Sequence, residues 1–147
     1  MFFLFFLSGC AADRVDIINN EGNIVGECTA EFNWHWYGVN DSVDYILNLC
    51  AQTYIAQGYK LSNGSILENN YTLPEPPRGN LWNKKIAYEQ FKKGSISEQK
   101  YGYILAAIEY EYILKTNAAN KKLANGLINK ADYKQILNKA KTEFTGE

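Results

Sequence analysis

The stretch Ile24-Val25-Gly26-Glu27-Cys28-Thr29-Ala30-Glu31-Phe32-Asn33-Trp34-His35-Trp36 decides the reading of the first half of this chain. Its even positions are Ile24, Gly26, Cys28, Ala30, Phe32, Trp34 and Trp36. The odd ones after Val25 are Glu27, Thr29, Glu31, Asn33 and His35. A period of two is the mark of a strand with one buried face. Upstream, Val15-Asp16-Ile17-Ile18 reads as a partner strand across the turn signal Asn19-Asn20-Glu21-Gly22-Asn23. Downstream, Gly38 ends the strand and Asn40-Asp41-Ser42 offers a helix cap. Val43, Ile46, Leu47, Cys50, Tyr54 and Ile55 then mark one face of a helix over 43–57, which Gly58 terminates. Tyr59 to Leu61 returns as a short strand. The result is a small ββαβ unit over 10–61, with the helix covering the sheet and Cys28 and Cys50 facing each other from their apolar faces.

His35 is the lone histidine, set in Asn33-Trp34-His35-Trp36-Tyr37. Glu31 and His35 are four residues apart on an extended strand, roughly 13 Å, too far to share a metal ion. A Ser-His-Asp arrangement with Ser42 and Asp41 or Asp44 is geometrically imaginable. Those residues are more simply helix caps, Asp41 and Asp44 forming a variant of the capping box. A catalytic site also needs a nucleophile, a base and oxyanion donors together, and the sequence assembles no such set around His35. Trp34, His35, Trp36 and Tyr37 are a candidate stacking platform for a sugar or peptide, although aromatic residues at a strand end more often close a core.

Pro74-Glu75-Pro76-Pro77 interrupts the chain. Proline fixes φ and disfavours helix in the residue before it, so 62–80 reads as a connector, extended over Leu73 to Pro77. Charge changes sign here. Residues 11–77 carry two basic and nine acidic side chains, residues 78–147 thirteen basic and seven acidic. The asymmetry hides within a net charge of −1, and 46% hydrophobic residues against 21% charged ones provide for one core or two small ones.

Residues 81–147 read as helical with an internal repeat. Phe91-Lys92-Lys93-Gly94-Ser95-Ile96-Ser97, continuing to Tyr101, Ile104 and Leu105, recurs as Leu123-Ala124-Asn125-Gly126-Leu127-Ile128-Asn129, continuing to Tyr133, Ile136 and Leu137. Each copy, over 91–105 and 123–137, is a helix stop at glycine followed by a capped helix start. Lys122 to Leu137 resembles the short C-terminal domain family of bacterial helical hairpins, with Asn129 in place of the usual threonine cap. The resemblance implies interaction or assembly more than catalysis. Between the turns, Lys100 to Lys115 has almost no polar face, the pattern of a helix enclosed by others or by a partner. Its exceptions, Glu109 and Glu111, point in different directions and read as solvated helix edges. The thirteen basic residues are spread around helices and do not form the stripe of a nucleic-acid binder.

At the start of the chain, Leu7-Ser8-Gly9-Cys10 after the apolar run Phe2 to Leu7 resembles the lipobox of a bacterial lipoprotein. The resemblance implies a signal peptide over 1–9, removed so that a lipidated Cys10 becomes the first residue. Only Met1 precedes the run and no Lys or Arg appears before Arg14, a departure from the positively charged start of a secretory signal that leaves open a start further upstream. Acyl chains on Cys10 would hold the protein on a membrane. Ala11 at the next position, by resemblance to Gram-negative lipoproteins, implies the outer membrane facing the periplasm. Cys28 and Cys50 are then the two remaining thiols in an oxidising compartment, where pairing is expected. The alternative is two buried thiols acting as small hydrophobes.

These readings converge on an α+β protein, a ββαβ unit followed by a helical region of hairpin-like repeats. The expected function is that of a non-enzymatic envelope lipoprotein, with no metal and no cofactor. Its partners would be the membrane, through lipid on Cys10, and a protein, a cell-wall component or a second copy, through the helical half. The alternative is a small periplasmic hydrolase or sugar- or peptide-binding protein using His35 and its aromatic neighbours.

Overall fold

The computed structural model describes residues 11–32 and 37–147 and has the α+β architecture. The chain divides into two compact units between Asn70 and Tyr71.

In the first unit, strands β1 (Ala11–Ile18) and β2 (Ile24–Phe32) form an antiparallel hairpin, and β3 (Lys60–Leu61) adds to the other edge of β1, giving the order β2-β1-β3. The Asn19 side chain builds the turn by accepting from the backbone N–H groups of Glu21 and Asn23 at 3.0 and 2.9 Å. β1 begins four residues before the expected Val15, because Ala11 to Arg14 pair with Phe32 to Thr29. Helix α1 (Val39–Ile55) packs Val43, Leu47 and Ala51 over the row Val15, Ile17, Cys28, Ala30 and Phe32, all buried. A bond joins Cys28 to Cys50, with Cα atoms 5.8 Å apart.

Three sequence expectations need correction here. Ile24 belongs to the alternation on paper, yet it is 66% exposed. The register shifts between Ile17 and Ile18, so that Ile17 opposes Gly26 while Ile18 opposes Ile24. The extra residue, Val25, reverses the parity of the strand and sends Ile24 to the outer face. Helix α1 starts before its expected cap. Gly38 adopts φ 67°, a left-handed conformation open to glycine, and leads the chain directly into Val39 with no side-chain cap. Ser42 thus lies inside the helix, buried, its hydroxyl donating to the Gly38 carbonyl at 3.1 Å, and Asp41 and Asp44 are not a capping box. Finally, the segment 62–70 is not a free connector. It makes a 3₁₀ turn (Ser65–Leu67) that buries Ile66, whose carbonyl accepts from Asn48 Nδ2 at 3.2 Å.

The second unit holds α2 (Lys84–Lys92), α3 (Glu98–Ala124) and α4 (Lys130–Thr145). Asn83, Ser97 and Asn129 cap the three helices with their side-chain oxygens. The two turns repeat bond for bond. Gly94 N–H donates to Phe91 and Ser95 N–H to Gln90, and 32 positions later Gly126 donates to Leu123 and Leu127 to Lys122, all at 2.9–3.0 Å. Both glycines have positive φ, 71° and 68°, as a Schellman stop requires. Helix α3 is longer than the Lys100 to Lys115 segment because it serves both turns. No helix among the described residues is long and apolar enough to cross a membrane.

Candidate functional site

The core of the helical unit fills the space where α2, α3 and the incoming segment 71–83 meet. Ala87, Ile104, Leu105 and Ile108 are buried together, and Leu73, Trp82, Ile96, Tyr101 and Phe144 pack against them. Trp82 fixes the segment by donating its indole N–H to the Pro74 carbonyl at 2.8 Å. Tyr101 stacks on Phe91, and Tyr112 on Phe144, each pair with ring centres 4.8 Å apart. Lys84 Nζ lies 4.4 Å from the centre of the Phe144 ring, a cation–π contact.

A cavity of about 350 Å³ opens between Leu73, Trp82, Ile108, Tyr112 and Phe144. Glu111, Lys115 and Glu143 bring charge to its lining. Lys115 Nζ sits 2.8 Å from Glu143 and 3.5 Å from Glu111, and Lys139 approaches Glu143 at 3.9 Å. The Lys115 hydrogen bond holds the Glu143 carboxyl below the usual carboxylate range, and the same bond raises Lys115. A carboxylate committed to an ammonium in this way is a poor general base, so the cavity offers apolar and aromatic contact rather than acid–base chemistry.

Outside this core, α3 carries apolar residues that nothing within the helical unit encloses. Tyr103 to Ala106 and Ile108 are buried, but Tyr110, Ile113 and Leu114 are 42%, 46% and 50% exposed. Their spacing of three and four places them on one face. Of the apolar segment Lys100 to Lys115, the helical unit therefore encloses Tyr103 to Ala106 and Ile108 and leaves Tyr110, Ile113 and Leu114 open. Glu111 is solvated at the helix edge, as expected, and also lies 3.5 Å from Lys115 Nζ.

The other sequence-derived candidates are distributed differently. Cys28 and Cys50 are brought together as a structural bond. Cys10, Trp34, His35 and Trp36 lie outside the described residues. Tyr37 is half-exposed just ahead of Gly38. Among the described residues no three His, Cys, Asp or Glu side chains cluster as metal ligands would. The sequence reading missed the cavity altogether. Glu111 and Lys115 stand at the i,i+4 spacing that signals an ion pair, but Glu143 arrives from a separate helix with no local signal. Comparison with protein-family models, curated proteins and solved structures finds no match to this chain.

Proposed function

We propose that this chain is a lipid-anchored protein of the bacterial envelope, at the periplasmic face of the outer membrane, whose helical unit mediates interaction or assembly without catalysis of its own. The observation that carries the reading is the exposed face Tyr110, Ile113 and Leu114 on α3. Three apolar side chains on one helical face cost solvation unless something covers them, and a cluster of this kind marks interaction surfaces. The anchor rests on the resemblance of Leu7 to Cys10 to a lipobox. A second copy of the chain, or an envelope protein or cell-wall partner, would cover the face.

Two experiments test this. Labelled palmitate should enter the chain expressed with a full-length signal, and Cys10→Ser should abolish labelling; a variant that still labels removes the anchor from the reading. Crosslinking in envelope fractions should capture a partner or a second copy through α3, and a folded Tyr110→Lys variant should lose it, while His35→Ala should not. If His35→Ala abolishes the cellular phenotype and Tyr110→Lys is silent, the ligand-site alternative takes its place.

A further inference from the structure

The two turns of the helical unit share a backbone and differ in what they present. In the first, the residue after the glycine is Ser95, and Ile96 packs into the core. In the second it is Leu127, 71% exposed. An apolar residue at this position of a Schellman turn ordinarily packs back on the helix it has just left. Here its partner position is Lys122, and the leucine stays in water. The hairpin behind it is thin. Tyr112 and Phe144 mark where α4 meets the core, and from there α3 continues over 112–124, about 18 Å at 1.5 Å per residue, alongside α4. Along this pair only Ala119 and Ala140 are buried.

Charge at the tip is one-sided. Lys121 and Lys122 lie in the last turn of α3, Lys130 opens α4 and Lys134 follows one turn later; all four are exposed, against a single acid, Asp132. None joins an ion pair among the described residues, whereas Lys115 and Lys139 farther along the hairpin are both bound to glutamates. Lys130 at the first position of α4 works against the helix dipole, which favours acids there. It therefore costs the fold a little, and the positive charge suits something outside the helix.

We propose that the tip of the α3–α4 hairpin, from Lys121 to Lys134, is a contact site for an anionic phospholipid surface. Leu127 enters the boundary between headgroups and acyl chains, and Lys121, Lys122, Lys130 and Lys134 meet the lipid phosphates. An exposed leucine between two helix ends that carry exposed lysines matches such a surface on both counts, since the leucine suits the apolar depth and the lysines the layer of negative charge above it. An acidic protein surface would use the lysines and leave the leucine unexplained. Each lysine near an anionic bilayer contributes about fivefold in affinity. The tip would hold the helical unit down on the membrane, leaving the Tyr110 face to the side for its partner. The inference rests on the membrane-anchored reading above.

The test places a nitrobenzoxadiazole probe on the thiol introduced by Leu127→Cys in the full chain carrying Cys10→Ser, where Cys28 and Cys50 are bonded and do not react. The apolar run Phe2 to Leu7 stays in place, so any recruitment it causes is common to all samples. Vesicles of phosphatidylcholine with about one third phosphatidylglycerol should give a blue shift and a several-fold rise in emission at low salt. The response should vanish in phosphatidylcholine alone and at high salt, and the same probe at Ser95→Cys should stay in water. Combined reversal of the four lysines to glutamate should raise the lipid concentration needed for half the response by about a hundredfold or more, with the helical circular dichroism unchanged. No response to the anionic vesicles, an equal response to neutral ones, or an equal response to polyglutamate without lipid would each overturn the proposal. Palmitate labelling of Cys10 in the native chain is read separately, so the tip can fail while the anchor stands, and the reverse.

Discussion

The two units of this protein solve the problem of a small core in opposite ways. The first buries one face of a three-stranded sheet under one helix and ties the two layers by the Cys28–Cys50 bond. Domains of this size bury too little apolar surface to be comfortable, and a crosslink that restricts the unfolded chain is a common remedy. The second unit has no crosslink. It relies on three capped helices, two glycine-stopped turns and a core centred on Ile104. The difference teaches where surface is left over. Both units leave apolar side chains in solvent, but the first does so at the turn end of β2, at Ile24 and Val25, whereas α3 sets Tyr110, Ile113 and Leu114 along one helical face and the turn that follows it exposes Leu127.

The largest expected effects break one unit at a time. Ile17 and Ile104 are both fully buried, and truncating either, Ile17→Ala or Ile104→Ala, should cost about 2–5 kcal/mol. Hydrogen exchange read peptide by peptide should show lost protection in the strands for the first and in α2 and α3 for the second. Loss of protection in both units from either substitution would mean that they fold as one body and that the contrast is false.

Next in size is the staple. Removing it by Cys28→Ser with Cys50→Ser should cost about 3 kcal/mol in the chain-entropy account, for a sequence separation of 22. In a unit this small that is a fall of roughly 10–20 °C in melting temperature. The helical unit should melt as before, and thermal scans with and without reductant check this directly.

These contrasts were unequally legible in the sequence. The ββαβ order, the facing cysteines and both glycine turns follow from local pattern, because period two, the 3.6-residue repeat and a glycine at a helix end are each written within a few neighbouring residues. What the pattern could not carry was parity and reach. The bulge at Val25 lies between two strands and depends on how both meet the turn, so Ile24 looked buried. Gly38 looked like a strand end and proved to be a helix start, since a left-handed glycine does either. In the helical unit, the cavity beside Trp82 and the Lys115–Glu143 pair join residues far apart in the chain. The apolar run Lys100 to Lys115 already implies cover by other helices or by a partner, but that Tyr110, Ile113 and Leu114 are the residues left exposed depends on the length of α3 relative to its neighbours.

A smaller effect separates the two turns. Asn129 accepts from two backbone N–H groups, those of Ala131 and Asp132, at 2.8 and 2.9 Å. Asn129→Ala should cost about 1 kcal/mol, seen as faster exchange over 125–134. Leu127→Ser beside it should change stability by no more than about 0.5 kcal/mol, as expected for an exposed side chain. A large loss from Leu127→Ser would mean that the leucine is structural, and the contrast between the two turns would close.

The smallest effects come from acid, and they should have opposite signs in the two units. Burial, with the neighbouring charges of Asp41 and Asp13, raises the Asp44 carboxyl above its ordinary 3.8. The folded first unit therefore holds that proton more tightly than the unfolded chain does. Its cost is fully present above the raised value and disappears as pH falls toward 3.8. Glu143 is the reverse, since its bond to Lys115 lowers it from 4.5; its contribution is full above 4.5 and is lost as pH falls through the depressed value. The Glu143 pair is partly exposed, so it should be worth less than about 1 kcal/mol and should weaken with salt. Denaturation at pH 7, 5 and 3.5, with unit-resolved exchange, should find Asp44→Asn more stable than the parent at pH 7 and the difference gone in acid. Glu143→Gln should be slightly less stable at pH 7, converging on the parent as pH falls. If both substitutions shift stability in the same direction at pH 7, either the burial of Asp44 or the Lys115 bond does not set the charge balance of its unit.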